Sequence, residues 1–237
     1  MNVEVLYQPA YTVAQVKLDP SEEIRVEAGA MVSMSSGLAL STDATGGLLK
    51  SLQRAVLGGE SFFQNTYRAP AQGGEIMLAP PLPGDIAVLE VGGDTLLVQS
   101  GAYLASSDGV AVDTAWGGAK TFFASEGLIM LRVTGGGTLV VSSYGAIHPL
   151  ELAAGEPLTV DTGHLVAFTE TIGFNVRRVG GMKSTLFSGE GLVVDLTGPG
   201  RLWMQTRSMD AFLAWLIPRL PTKSDGSGKG LSINLGG

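Results

Sequence analysis

The chain has 237 residues, is 45% hydrophobic, and carries 34 glycines, no cysteine and a formal net charge of −7. Lacking cysteine, it is excluded from disulfide, thiolate and cysteine–metal chemistry, which fits a reducing compartment. Its acidity argues against a phosphate-neutralising surface of the kind that nucleic acids need.

The N-terminus, Met1-Asn2-Val3-Glu4-Val5, runs directly into an alternating strand pattern without signal or transit character. No uninterrupted apolar stretch approaches the ~18 residues that span a bilayer. The reading is a soluble, cytoplasmic protein that is not an integral membrane protein.

A short phrase then appears three times. It reads Ile24-Arg25-Val26-Glu27-Ala28-Gly29, Leu96-Leu97-Val98-Gln99-Ser100-Gly101 and Leu158-Thr159-Val160-Asp161-Thr162-Gly163. An apolar residue follows each glycine three places on: Val32, Leu104 and Val166. Recurrence at this interval predicts one structural unit written three times. Glu, Gln and Asp share one position here. Glutamine cannot exchange a proton, so what the position has in common is a carbonyl oxygen that accepts backbone N–H groups at a turn. The expected role is structural.

Downstream of each phrase stand Phe62-Phe63, Phe122-Phe123 and Leu186-Phe187. An apolar run, a glycine turn and a second apolar run follow. The first set is Ile76-Met77-Leu78, Gly84 and Ile86-Ala87-Val88-Leu89; the second is Leu128-Ile129-Met130-Leu131, Gly135-Gly136-Gly137 and Leu139-Val140-Val141; the third is Leu192-Val193-Val194, Gly198-Pro199-Gly200 and Leu202-Trp203-Met204. Short apolar runs broken by Gly and Pro are strand-and-turn writing, because glycine supplies the positive φ of tight turns. The prediction is an all-β body over residues 1–220, with units of about 1–92, 93–154 and 155–220. Units this small bury too little alone and must share contacts.

Two helices interrupt the strands. Leu48, Leu49, Leu52, Val56 and Leu57 form a helical stripe closed by Gly58-Gly59. A second helix runs from the N-cap Ser208 through Met209, Phe212, Leu213, Trp215, Leu216 and Ile217 to a stop at Pro218. Helices this short need packing against something, their own protein or a second copy of it. After Pro221 the chain becomes a Gly/Ser-rich tail over residues 221–237, with an alternating stretch at Leu231-Ser232-Ile233-Asn234-Leu235. Gly228-Lys229 lacks the preceding glycine of a phosphate loop, whose place is held by Lys223.

Chemistry-bearing constellations are sparse. There are two histidines, His148 and His164, too few for a three-histidine metal site, and no His-x-His or His-Glu-x-x-His spacing. A cupin-like metal enzyme using His148, His164 and carboxylates such as Glu151 is one alternative. Nucleic-acid binding through Arg177, Arg178 and Lys183 is another, although Arg177 and Arg178 point to opposite faces if they lie on a strand. Glu126 and Glu190 read as turn or edge residues. No catalytic, cofactor-binding or metal residue is assigned, and no cofactor is expected.

Several longer strings carry a family resemblance. Gly46-Gly47-Leu48-Leu49-Lys50-Ser51-Leu52, Gly58-Gly59-Glu60-Ser61-Phe62-Phe63-Gln64-Asn65, Gly181-Met182-Lys183-Ser184-Thr185-Leu186-Phe187 and Thr197-Gly198-Pro199-Gly200-Arg201-Leu202-Trp203-Met204 resemble signatures of the altered-inheritance-of-mitochondria, or mitochondrial biogenesis, family. The resemblance covers residues 1 to about 220. It implies the fold of the tryptophan RNA-binding attenuation protein (TRAP-like): small β-sandwich units of the short double-stranded β-helix type, which assemble into rings. Homo-oligomerisation is implied; no catalytic residues are. The expected function is therefore a non-enzymatic oligomeric β-scaffold that binds a protein or small-molecule ligand.

Overall fold

Strand formation follows the two-residue alternation of the sequence. In Val13-Ala14-Gln15-Val16-Lys17-Leu18, Ala14, Val16 and Leu18 are buried while Lys17 faces solvent, the pattern of a strand with one face on a core. The computed structural model describes residues 1–41, 64–113, 129–179 and 192–221. Those residues form β1 (Asn2–Leu6), β2 (Val13–Leu18), β3 (Glu23–Glu27), β4 (Met31–Met34), β5 (Ala39–Ser41), β6 (Gln64–Arg68) and β7 (Gly74–Leu78). Next come β8 (Ile86–Gly92), β9 (Leu96–Gln99), β10 (Tyr103–Ser107), β11 (Val110–Asp113) and β12 (Met130–Ser142). The last are β13 (Ile147–Leu152), β14 (Pro157–Asp161), β15 (Leu165–Thr169), β16 (Gly173–Arg178), β17 (Leu192–Thr197), β18 (Gly200–Gln205) and helix α1 (Met209–Leu216). The protein is all-β with one short helix among the described residues.

Among the described residues the strand pairs are antiparallel and fall into three sets. In the first, β7 lies between β2 and β4, and β6 lies between β3 and β5. In the last, β18 lies between β13 and β15, and β17 lies between β14 and β16. In the middle set the long β12 does the work of two strands. Its first part pairs with β9 and β11, and its second part pairs with β8 and β10. Gly135-Gly136-Gly137 mark the change of partner, with φ of 96° at Gly135, where a Cβ would also lie 2.3 Å from the Gly109 carbonyl oxygen.

Two further pairings stitch the sets together. β10 adds to β3, with Ala105 opposite Val26, and β15 adds to β9, with Ala167 opposite Val98. Three hydrophobic clusters result, and they cross these joints. Leu104, Ala105 and Val140 complete the cluster around Ile24, Val26 and Ile76. Val166, Ala167 and Trp203 complete the one around Leu96, Val98 and Leu139. Leu97 and Met130 reach into the third, around Phe168, Val194 and Leu202.

The strand partners correct two details read from sequence. The run Ile76-Met77-Leu78 pairs as Leu139-Val140-Val141 and Leu202-Trp203-Met204 do, not as Met130-Leu131 does. The strand that corresponds to Met130-Leu131 is the preceding one in the chain, Gln64-Asn65-Thr66-Tyr67-Arg68, whose polarity conceals it from a search for apolar runs. Accordingly β8, which a boundary at 92 leaves in the first unit, pairs with β12 of the second. The phrase glycines also differ in purpose. Gly29 has a φ of 91°, whereas a Cβ on Gly163 would lie 2.5 Å from Ser208 Oγ.

Helix α1 begins as expected, with Ser208 Oγ accepting a hydrogen bond from the Ala211 N–H at 3.4 Å. It stops at Leu216, ahead of a short 3-10 turn, Ile217–Arg219, that contains Pro218. The expected helix at Leu48–Leu57 and the tail strand at Leu231–Leu235 lie outside the described residues.

Candidate interaction surface

At the joints, the side chains with charge act as fasteners. Arg25 of β3 reaches across β10 to the Asp108 carboxylate at 2.5 Å and the Val110 carbonyl at 2.8 Å. Arg132 of β12 holds Glu170 by two parallel bonds of 2.9 and 3.0 Å, a planar fork that suits a carboxylate. That guanidinium keeps the Glu170 carboxyl below its ordinary range. Arg201 meets Asp94 at 3.4 Å and lies over the Trp203 ring. Asp94, Arg201, Glu151 and Glu156 line an open cleft, in which Glu156 accepts the Ala153 N–H at 2.7 Å.

Beneath the first joint sits a buried tyrosine. The Tyr103 hydroxyl is 2.7 Å from Ser106 Oγ and donates to the Arg25 carbonyl at 3.3 Å. Burial pushes its ionisation well above the usual tyrosine range.

The residues singled out from sequence are scattered. His148 is exposed on β13 opposite Met204. His164 Nδ1 lies 2.7 Å from the Gln205 carbonyl, which can only accept, so Nδ1 carries the proton. The same Gln205 donates to the Gly163 carbonyl at 2.8 Å and accepts the Tyr144 N–H at 2.8 Å. His164 is thus part of a clamp between the start of β15 and the end of β18. No group of three His, Cys, Asp or Glu gathers as metal ligands would among the described residues. Arg177 pairs with Asp195, holding that carboxyl below its ordinary range. Arg177 and Arg178 do lie on a strand, β16. Glu126, Lys183 and Glu190 lie outside the described residues.

The shared Glu/Gln/Asp position behaves differently in each phrase. Asp161 accepts the Gly163 N–H at 2.8 Å, as the turn reading expects. Gln99 caps nothing at its turn. Glu27 is half-buried, its buried Oε2 has no hydrogen-bond partner among the described residues, and burial raises its carboxyl to about 7.

Sequence reasoning missed Asp85, which is buried and accepts the Gln8 side-chain amide at 3.1 Å and the Ile86 N–H at 2.9 Å. It also missed the edge of β4 that no strand covers among the described residues. Met31, Val32 and Met34 are exposed there, and so are Phe212, Leu213, Trp215, Ile217 and Leu220 on and after α1. The signal for β4 was available: Met31-Val32-Ser33-Met34-Ser35-Ser36 carries no charge and no proline, the devices that protect an edge strand.

No helix among the described residues is long and apolar enough to cross a membrane. A protein of Streptococcus pyogenes with a solved crystal structure superposes with a TM-score of 0.78 at 25% identity, covering 92% of this chain and 99% of that one. An uncharacterized protein of Streptococcus pyogenes serotype M6 is 28% identical over 224 residues, spanning 91% of this chain and 89% of its own. The model of the family described as mitochondrial biogenesis AIM24 matches residues 3–207. With nearly the whole of its strand ladder inside that match, the chain belongs to the mitochondrial biogenesis AIM24 family.

Proposed function

We propose that the protein is a non-enzymatic β-scaffold, built from three copies of one unit, that self-assembles and binds a protein or small-molecule ligand. The observation that supports this most is the distribution of exposed apolar side chains. Among the described residues, eight of the twelve exposed large apolar side chains lie on β4 and in the segment from Phe212 to Leu220, and clustered apolar exposure of this kind is a mark of interaction sites. The ionisable side chains at the joints are engaged in ion pairs and strand-to-strand bonds, which is structural use of the groups a catalyst would need free. The TRAP-like unit and a cytoplasmic location belong to the same reading.

Light scattering on a size-exclusion column tests it. A mass above the 24.5 kDa of one chain at micromolar concentration is expected. Mass spectrometry of natively co-purified material then identifies what the scaffold carries. A strict monomer at every concentration overturns the proposal.

A further inference from the structure

We infer that the chain assembles head to tail by a third copy of its own internal joint, in which β4 of one molecule adds to β14 of another. This rests on the oligomeric reading above and specifies its contact. The argument starts from register. β4, β10 and β15 each bind the strand behind them with the same irregularity, one residue skipped between Met31 and Ser33, between Tyr103 and Ala105, and between Leu165 and Ala167. Ser33, Ala105 and Ala167 are therefore equivalent positions. Val26, Val98 and Val160 are equivalent in the same way, opposite Asn65, Leu131 and Val194.

Two of these positions meet their partners within the chain. Ala105 faces Val26, and Ala167 faces Val98. The remaining pair, Ser33 and Val160, does not meet. Among the described residues β4 pairs with β7 alone and β14 with β17 alone, so each leaves one ladder edge open. One molecule thus carries both halves of the joint, one at each end of its strand order. Continuing the observed register places Ser33 opposite Val160, Met34 opposite Thr159 and Ser35 opposite Leu158.

Burial points the same way. Leu104 and Val166 are 0% exposed because each is inserted into the core of the preceding set, whereas the equivalent Val32 is 55% exposed. The chemistry of the edges agrees. The outer strand β13 carries His148, Pro149 and Glu151, and the outer strand β16 carries Arg177 and Arg178, but β4 has no charge to repel a partner. The contact is heterologous, so repetition generates a ring if the rotation closes and a filament if it does not.

The chain lacks cysteine, which makes the register directly testable. Met34→Cys and Thr159→Cys are made as separate single variants, mixed, and treated with a short thiol–thiol cross-linker. The expected product is a dimer containing one molecule of each variant, formed at least tenfold faster than from Ser33→Cys mixed with Thr159→Cys, whose side chains point to opposite faces of the ladder. Because each molecule has one thiol, closure within a single chain cannot give this product. Val32→Lys, at a solvent-facing site, should keep the parental melting curve of the isolated chain and abolish assembly. Equal cross-linking of both mixtures, or an oligomer that survives Val32→Lys, overturns this contact while leaving an oligomeric scaffold standing. A monomer at every concentration overturns both.

Discussion

Glu27 of β3 stands directly opposite Gln64 of β6, and its buried Oε2 lacks a hydrogen-bond partner among the described residues. A buried carboxylate without a partner is costly, and the proton is the cheapest remedy. Burial accordingly raises the Glu27 carboxyl from 4.5 to about 7. Between those values the native state holds a proton that the unfolded chain has released, so stability falls as pH rises from about 4.5 through about 7 and then levels. Glu27→Gln is isosteric and cannot titrate. Its melting temperature should match the parent at pH 5 and exceed it at pH 8. A parent more stable than the variant at pH 8 would contradict the assignment.

Tyr103 tests the first internal joint. Its hydroxyl is the buried link between Ser106 on its own strand and the Arg25 carbonyl on β3. Tyr103→Phe keeps the ring in the core and removes the link, at a cost of about 1–2 kcal/mol, because Ser106 and the carbonyl lose a buried partner. Urea denaturation measures it. Tyr7→Phe, on a residue that is 72% exposed, should leave the midpoint where it was.

The alternating strands and the threefold phrase were legible because burial imposes a period of two and because turns need glycine. The polar strand Gln64–Arg68 was not, since Tyr67 is its one side chain in the core and its place between β3 and β5 is otherwise held by ladder hydrogen bonds. The phrase itself misled at one point. A carbonyl oxygen is common to Glu27, Gln99 and Asp161, yet only Asp161 has an N–H within reach at its turn. The burial that raises the Glu27 carboxyl is a tertiary effect that composition does not reveal. The open edge at β4 was legible only as an absence of charge; what makes it a candidate site is comparison with β10 and β15, whose equivalent residues are covered.

That difference within the phrase is measurable. Asp161→Ala removes a 2.8 Å bond to the Gly163 N–H at the turn into β15, where capping oxygens of this kind contribute about 1 kcal/mol. Gln99→Ala removes no such cap. Chemical denaturation of the two variants side by side should show the Asp161 variant as the weaker one. Equal losses would mean that the shared position has one role after all.

Gly84 lies where three connections meet. Its carbonyl accepts the Thr12 N–H at 3.0 Å, and the neighbouring Asp85 and Pro83 exchange bonds of 2.9 and 3.1 Å with Gly145, in the link between β12 and β13. The backbones approach so closely that a Cβ on Gly84 would fall 1.7 Å from the Ser143 carbonyl oxygen and 3.0 Å from that of Gly145. Neither atom belongs to a side chain that could swing away, and the Ser143 N–H is itself bound to the Asp85 carbonyl at 3.0 Å. Gly84→Ala must therefore pull the links apart, with an expected loss of about 3 kcal/mol or more. Gly92→Ala is the matched control: it lies on β8, nothing stands within 4 Å of its Cβ position, and its φ lies outside the positive range that strains a side chain. That variant should stay within about 0.5 kcal/mol of the parent. Thermal denaturation of both proteins separates a steric knot at Gly84 from a general intolerance of strand glycines, since the second would lower both transitions together.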